Sequence, residues 1–586
     1  MRVRHIYPIA SCRKEVEGPV GFCIGSASNW FGMSTERQSR YEGWFIEDSR
    51  TLPHSFLKIL ERVSYVKGEE HNVPASPLGV TVNGEHAFWE YADGARIGFY
   101  APPDVPALRF QSARKSALSF TFDIRGIYQS PDVGRAYQVH QVHQVPGGIF
   151  IQYDDPLIGQ TVYVAMKTDG EFTLQGTWET VQYPWDKERN SSPTEKSVYT
   201  LGVCNANWTA FGAGTSAEAA QQACAMAARE PFPLVGIGIA HASDTLTEEV
   251  HAARFSTAET LAILMHETGT YAGLPWFHQV WSRDELLAAL GMPRTDQLAC
   301  IKKYLKTSLG GGELPTFVGS GTTCADGVGW LALLIREYGV STLKPTEQKR
   351  ATRFFLEALA GIRESHFSPE GLVTSGHNAT WMDTIGRSGC RIEIQAMYGL
   401  ALELLGDLTE DPTYNEQRKA WIKLVRSHFF KKGALWDGYD DATIRPNIFL
   451  AYLLQPDLLS GVEWERAFGK ALAPLRTSWG GLASLDQNHP SFQAHSTGED
   501  NKSYHQGDSW FFVNNLAGVA LNRFGMKQFK PVVQEILRSS TEEILWKHTI
   551  GHSGEIASAA DGASWGCGAQ AFSAGTYLFF TEELGF

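Results

Sequence analysis

SGHNATWMDTIGRSGCRIEIQAMYGLALELLG, residues 375–406, sets a loop directly before a helix. The loop half is rich in Gly, Asn and Thr and carries Asp383 two residues after Trp381. The half from Arg391 is mostly apolar and predicts a helix, with Glu393 near its start. A carboxylate on such a helix either faces solvent or is kept inside for a purpose. Asp383 is the stronger catalytic candidate, because a loop between helices can hold an acid against a cleft.

The same alternation of apolar helix and Gly/Trp/Asp-rich loop runs through the chain from about residue 245. Helix starts are expected near 256, 284, 295, 324, 345, 391, 412, 445, 462, 508, 530 and 568. Pro345 with Glu347 marks one start, and Gly339 marks the end before it. Twelve helices suit six hairpins closed into an (α/α)6 toroid. Before residue 240 the period is two. Runs such as SALSFTFDIRGIY, GIFIQYDD and TVYVAMKTDG predict antiparallel strands stacked as a β-sandwich. The Ala-rich stretch 216–230 reads as a linker helix. The expected division is therefore a β-sandwich domain over 1–240 and an (α/α)6 domain over 245–586.

Composition narrows the function. The 586 residues are 43% hydrophobic and 20% charged, which is globular and not disordered. The formal charge of −13 speaks against a nucleic-acid partner. No apolar run reaches the ~18 residues of a membrane helix, and the N-terminus does not read as an export signal. The eight cysteines form no CxxC pair, so no metal site is expected. Single scattered cysteines suggest a reducing, cytoplasmic setting. There is no GxSxG elbow and no phosphate-binding GxxxxGK[ST] loop, and no cofactor is called for. Seventeen Trp is a surplus that suits a sugar-binding surface or a large core.

Cofactor-free glycoside hydrolysis needs two carboxyl groups across the scissile bond. Four loop segments besides the first qualify. In GLPWFHQVWSRDELLAAL (273–290), Arg283 and Asp284 follow Trp276 and Trp281; the pair can grip sugar hydroxyls as donor and acceptor, or simply cap a helix. DDATIRPNIFLAYLL (440–454) opens a helix at Arg445-Pro446-Asn447. SYHQGDSWFFVNN (503–515) adds Tyr504, His505, Asp508 and Trp510; His505 has no partner at metal-ligand spacing. GHSGEIASAADGASWGCGAQAFS (551–573) holds Glu555 among small residues, and Gln570.

Taken in order, these blocks resemble the glucosidase domain of glycogen debranching enzymes, the amylo-α-1,6-glucosidase family. Thr380-Trp381-Met382-Asp383, Arg387 and Ile392-Glu393-Ile394-Gln395-Ala396 resemble its TWMD…R…VEIQAL signature. Pro275-Trp276-Phe277 with Trp281, Arg283 and Asp284 resembles its PWF…WxRD block, and Ile444-Arg445-Pro446-Asn447 its IRPN. Tyr504-His505, Gly507 and Trp510 resemble its YHxGxxW, and Glu555-Ile556 with Gly566-Cys567 and Gln570-Ala571 its EI…GCxAQA ending. Near the N-terminus Arg40-Tyr41-Glu42-Gly43 is similar to its RYHG block, with Glu42 in place of His. The resemblance implies Asp383 as general acid and Glu555 as general base, acting with inversion on α-1,6 branch points of a glycogen-like α-glucan. It implies substrate contacts from Trp276, Trp281, Arg283, Asp284, Trp381, Arg387, Glu393, His505, Trp510 and Gln570. An inverting pair is expected to lie ~6.5–9.5 Å apart. A glucoamylase-, trehalase- or phosphorylase-like toroid enzyme, or a non-catalytic carbohydrate binder, stays open. The oligomeric state is not legible.

Overall fold

The computed structural model describes residues 2–7, 10–47, 56–66, 76–83, 86–126, 138–145, 148–155, 160–229, 246–307 and 312–586. The expected boundary at 240–245 lies outside the described residues. The chain forms two compact units. One comprises Met1–His266, Gly273–His278 and Glu543–His552; the other comprises Glu267–Ala272, Gln279–Glu542 and Ser553–Phe586.

The first unit is built on a mostly antiparallel sheet. Two pairs are parallel: Arg2–Tyr7 with Gly79–Asn83, and His548–Thr549 with Val20–Ser26. The described strands form one hydrogen-bonded network, because two strands of 20 residues, Ala107–Gly126 and Glu195–Gly214, each serve more than one region of it. Ala107–Gly126 pairs with Arg96–Tyr100 through Arg109–Ser112, and with Phe56–Tyr65 from Leu118 onward. Register shifts at Gln111/Ser116 and Phe120/Thr121 bend it between those duties. Along Ala107–Gly126 the buried side chains include Phe110 and Phe120. With Phe22, Phe31, Phe99 and Phe211 they form a chain of rings whose neighbours sit 4.9–5.9 Å apart. The expected linker helix, Ala217–Arg229, is packed rather than free. It lays Ala220, Ala223, Cys224 and Ala227 on the sheet. Gly212 permits the close approach, since a Cβ there would fall 2.2 Å from the Cys224 backbone nitrogen.

From residue 246 the described residues hold twelve α-helices, starting at 246, 282, 294, 327, 345, 392, 412, 447, 461, 511, 530 and 571. The first begins ten residues before the expected 256 and clusters with the sheet unit. In the second unit the helices alternate between two kinds. Ser282–Ala289, Gly327–Tyr338, Ile392–Thr409, Asn447–Leu454, Phe511–Phe524 and Ala571–Glu583 are buried on nearly every side. Each packs on the next in that order, and Ala571–Glu583 packs back on Ser282–Ala289. Those between them are amphipathic. Pro345–Ser365 buries Ala351, Phe354, Phe355, Ala358 and Leu359, an i, i+3, i+4, i+7, i+8 stripe, and starts with Glu347 accepting from the Lys344 N–H at 2.8 Å. No described helix is long and apolar enough to cross a membrane. The seven cysteines whose side chains are described are buried.

Candidate active site

Each helix of the closed ring opens with a polar side chain or a Trp. Arg283 and Asp284 lie in the first turn of Ser282–Ala289, and Asp326 precedes Gly327–Tyr338. Glu393 is in the first turn of Ile392–Thr409, and Asn447 begins Asn447–Leu454. Trp510 precedes Phe511–Phe524, and Gln570 precedes Ala571–Glu583. Hydrogen bonds between helix starts tie this end of the ring together. Gln570 Nε2 donates to Asp284 Oδ1 at 3.0 Å, and Arg283 grips Asp326 through Nε at 2.6 Å and Nη2 at 3.2 Å. Trp381 Nε1 donates to Asn447 Oδ1 at 2.8 Å. Helix N-termini carry partial positive charge, so this end of the ring favours acids.

Three acids meet there. Asp284 is buried, and burial first, then the charges of Glu555 and Asp383, push its pKa up to about 7 against the pull of Arg283 and Gln570. Asp383 is the most open of the three, with 32% of its side chain exposed. Burial raises its pKa, but the hydrogen bond from His505 and the charges of His505 and Arg283 outweigh that and leave it below the ordinary value. His505 Nε2 lies 3.3 Å from Asp383 Oδ1, and Arg283 Nη1 lies 3.8 Å from Asp383 Oδ2. Burial lowers the pKa of His505 against the opposing hydrogen bond and charge of Asp383, and Nε2–H is the donor to Asp383. Glu555 accepts from the Tyr504 hydroxyl and, at 2.8 Å, from the Cys567 N–H. Burial and the negative charge of Glu555 raise the Tyr504 pKa well above the usual phenol range, so Tyr504 stays a donor.

The family model for amylo-alpha-1,6-glucosidase matches residues 256–578, more than half of the chain and every block of this site. The chain belongs to the amylo-alpha-1,6-glucosidase family. Membership makes it a glycoside-hydrolase-like, carbohydrate-active protein. No curated protein matches the chain. Among solved structures, it is similar to a wild-type glycosidase at 13% identity and a TM-score of 0.45, covering 59% of this chain and 99% of that one. A glycosidase variant in complex with glucose gives the same identity, coverage and TM-score. A cellobiose 2-epimerase from Bacillus thermoamylovorans B4167 follows at 12% and 0.43, covering 57% of this chain and 99% of that one.

Within this amylo-alpha-1,6-glucosidase-family chain, several residues expected to touch substrate are engaged elsewhere. Arg387 uses all five guanidinium N–H groups, on Glu393, Asp437 and Thr380. Glu393 is fully buried with both oxygens on Arg387, so it has no face for a sugar and no contact with Asp383 to raise its pKa. Trp381 and Trp510 are 2% and 5% exposed, and their rings meet His505, Phe512 and each other. They are walls behind the acids and offer no open face for a pyranose. Trp276 belongs to the sheet unit, where the Arg189 guanidinium lies 4.1 Å from its ring centre. Trp281 remains half-buried beside Phe317, 5.6 Å away. Sequence reading passed over Asp326, which holds Arg283 in a bidentate grip. Its only local signal is that it precedes an apolar helix, where an Asp reads as a cap.

Proposed function

We propose that the protein is an inverting exo-glycosidase that releases glucose from α-1,6 branch points of glycogen-like α-glucans, with residues 245–586 forming an (α/α)6 toroid. The observation that carries this is the convergence of Asp284, Asp383 and Glu555 at the opening turns of a closed helical ring, with Arg283 among them. In this reading Asp383, the most open of the three, protonates the leaving oxygen and Glu555 activates water. Arg283, fixed by Asp326, and Asp284, fixed by Gln570, hold hydroxyls of the terminal glucose. Family membership supports the substrate class, and the ring of six packed helices supports the toroid. Product analysis on panose, maltose, trehalose and limit dextrin tests it, with and without phosphate. Free glucose from panose and limit dextrin, unaffected by phosphate, is the expected result. Sugar phosphate as product would replace hydrolysis by phosphorolysis.

One observation favours a second assignment within the same chemistry: Asp284, not Asp383, has the raised pKa of a proton holder. The pH profile separates them. A general acid works protonated, so kcat/KM falls as pH rises through its pKa in the free enzyme. With Asp383 as acid, that alkaline limb lies well below neutrality. With Asp284 as acid, it lies near pH 7. Interacting acids titrate as a group, so the limb belongs to the cluster and the variant decides. Asp284→Asn is expected to lower kcat/KM by ~10²-fold or more and to leave the alkaline limb in place. Loss of a limb near pH 7 in that variant would transfer the acid role to Asp284.

A further inference from the structure

Asp508 is the acid of the Tyr504–Trp510 block, and the proposed chemistry leaves it unused. It is 1% exposed and directly precedes the strand Ser509–Trp510. That strand pairs antiparallel with Ile556–Ala557, and the Phe511 N–H donates to the Glu555 carbonyl at 3.2 Å. Asp508 Oδ1 accepts from the Ser496 hydroxyl, and Oδ2 accepts from the Ser503 hydroxyl at 2.7 Å. The Asp508 N–H donates to the Ser503 carbonyl at 2.9 Å. Ser503 is tied in turn to Thr497. The Thr497 N–H donates to Ser503 Oγ at 2.9 Å, and the Ser503 N–H donates to Thr497 Oγ1 at 3.0 Å. The carboxyl thus closes the segment 496–508 on itself, with the shorter turn 503–508 inside it. Tyr504 and His505 lie in that inner turn.

A carboxylate suits such a junction. Ionised, it accepts and has no donor of its own, so it takes both hydroxyls at once. It is also costly there, because burial pushes its pKa up to about 6 and its two side-chain partners are neutral. What it brackets are the two side chains that touch the acids, Tyr504 on Glu555 and His505 on Asp383. Two other tethers reach the same pair at 2.7 Å, Trp510 Nε1 on the Tyr504 carbonyl and Arg445 Nη1 on the His505 carbonyl. Both hold the inner turn by its backbone, and neither reaches Ser496. We propose that Asp508 is a positioning residue for both acids: by clasping Ser496 and Ser503 it holds Tyr504 against Glu555 and His505 against Asp383. The roles of those acids rest on the proposed function; the clasp itself does not.

In the full-length protein, well below its melting temperature, Asp508→Ala is expected to lower kcat on panose by ~30-fold or more and to leave KM within about threefold. α-Glucosyl fluoride isolates the Glu555 side, since its leaving group needs no acid. Acting through Tyr504, Asp508→Ala should slow the fluoride by ~10-fold or more in the otherwise unaltered protein, and by less than about twofold in Tyr504→Phe. On panose part of the loss should persist in that background, carried by His505 and Asp383. Equal losses on the fluoride in both backgrounds would leave Asp508 a structural residue and overturn the proposal. Because loss of a buried carboxyl can impair folding, Asp508→Asn goes through the same cycle, with a smaller loss that again needs Tyr504. Amide hydrogen exchange reads the clasp without turnover. In Asp508→Asn the peptides of 496–508 should exchange ~10-fold faster, while those of Asn447–Leu454 stay unchanged. Unchanged exchange over 496–508 overturns the clasp whatever the activity. Faster exchange there, in a protein that releases no glucose from panose or the fluoride, would sink the acid–base reading and keep the clasp.

Discussion

Glu555→Gln is expected to abolish turnover of both an α-1,6 glucoside and an α-glucosyl fluoride, by at least ~10³-fold, whereas Asp383→Asn loses the glucoside and retains the fluoride. The asymmetry follows from what each group is asked to do. Fluoride departs without a proton, so an enzyme lacking its acid still works on it. Water must be activated whatever leaves, so an enzyme lacking its base works on neither. Glu555 is fixed from two sides, by the Tyr504 hydroxyl on Oε1 and the Cys567 N–H on Oε2. The loop that brings Cys567 round passes through Gly566, at φ +52°, where a Cβ would come 2.5 Å from Glu555 Oε2. Only glycine leaves the carboxylate its position there. Added azide should restore turnover in Glu555→Gln by replacing the activated water, and should give the azide of inverted configuration. Kinetics on the two substrates, with product configuration followed by NMR, checks all of this. If Asp383→Asn kept normal activity on the glucoside, the acid role would leave Asp383.

How much of this was legible beforehand depended on how local the signal was. Helix starts at 345, 412 and 530 fell at the expected residues because Pro, Glu and an apolar stripe mark a helix within a few positions. The start at 246 was missed by ten residues, since Leu246–Leu264 has a weakly patterned sequence with Thr, His and Arg through its first half. The strands followed from period-two alternation, but the merging of their ladders into one network did not. That merging depends on strands long enough to change partners midway. In the site, the sequence pointed to the residues that meet, among them Asp284, Asp383, His505, Glu555 and Gln570. It did not separate those that face open space from those that brace the loop. Trp381 and Trp510 look like sugar platforms in one dimension, yet in three dimensions they pack on His505 and Phe512. Asp326 is invisible for the opposite reason: its partner, Arg283, lies 43 positions away, and nothing between them announces the pairing.

The buried guanidinium of Arg387 gives the second large expected effect, on folding. Arg387→Met is expected to destabilise the helical unit by ~3–5 kcal/mol or more, lowering its melting temperature by roughly 10 °C or preventing folding. The reason is what stays behind. Glu393 is 0% exposed and Asp437 3%, and each has both oxygens bonded to Arg387. Burial raises the pKa of Glu393, while Arg387, Arg445 and Asn447 hold that of Asp437 below the ordinary value against its own burial. Without Arg387, Glu393 has no cation close by and must take up a proton or open the core to water. Asp437 keeps partial cover from Asn447 Nδ2 at 2.7 Å and Arg391 Nη1 at 3.4 Å. Arg387→Lys should fare little better, because one ammonium cannot reproduce two bidentate grips. Removing the orphan together with its partner, as Arg387→Met with Glu393→Met, should recover part of the lost stability, which calorimetric melting would read directly. A substrate-binding arginine would behave otherwise: Arg387→Met would melt like the unaltered protein and show only a raised KM. Since Arg387 lies in the same loop as Asp383, four residues on, and also donates to Thr380, its loss should reduce kcat in whatever folds, by freeing the segment that aims the acid.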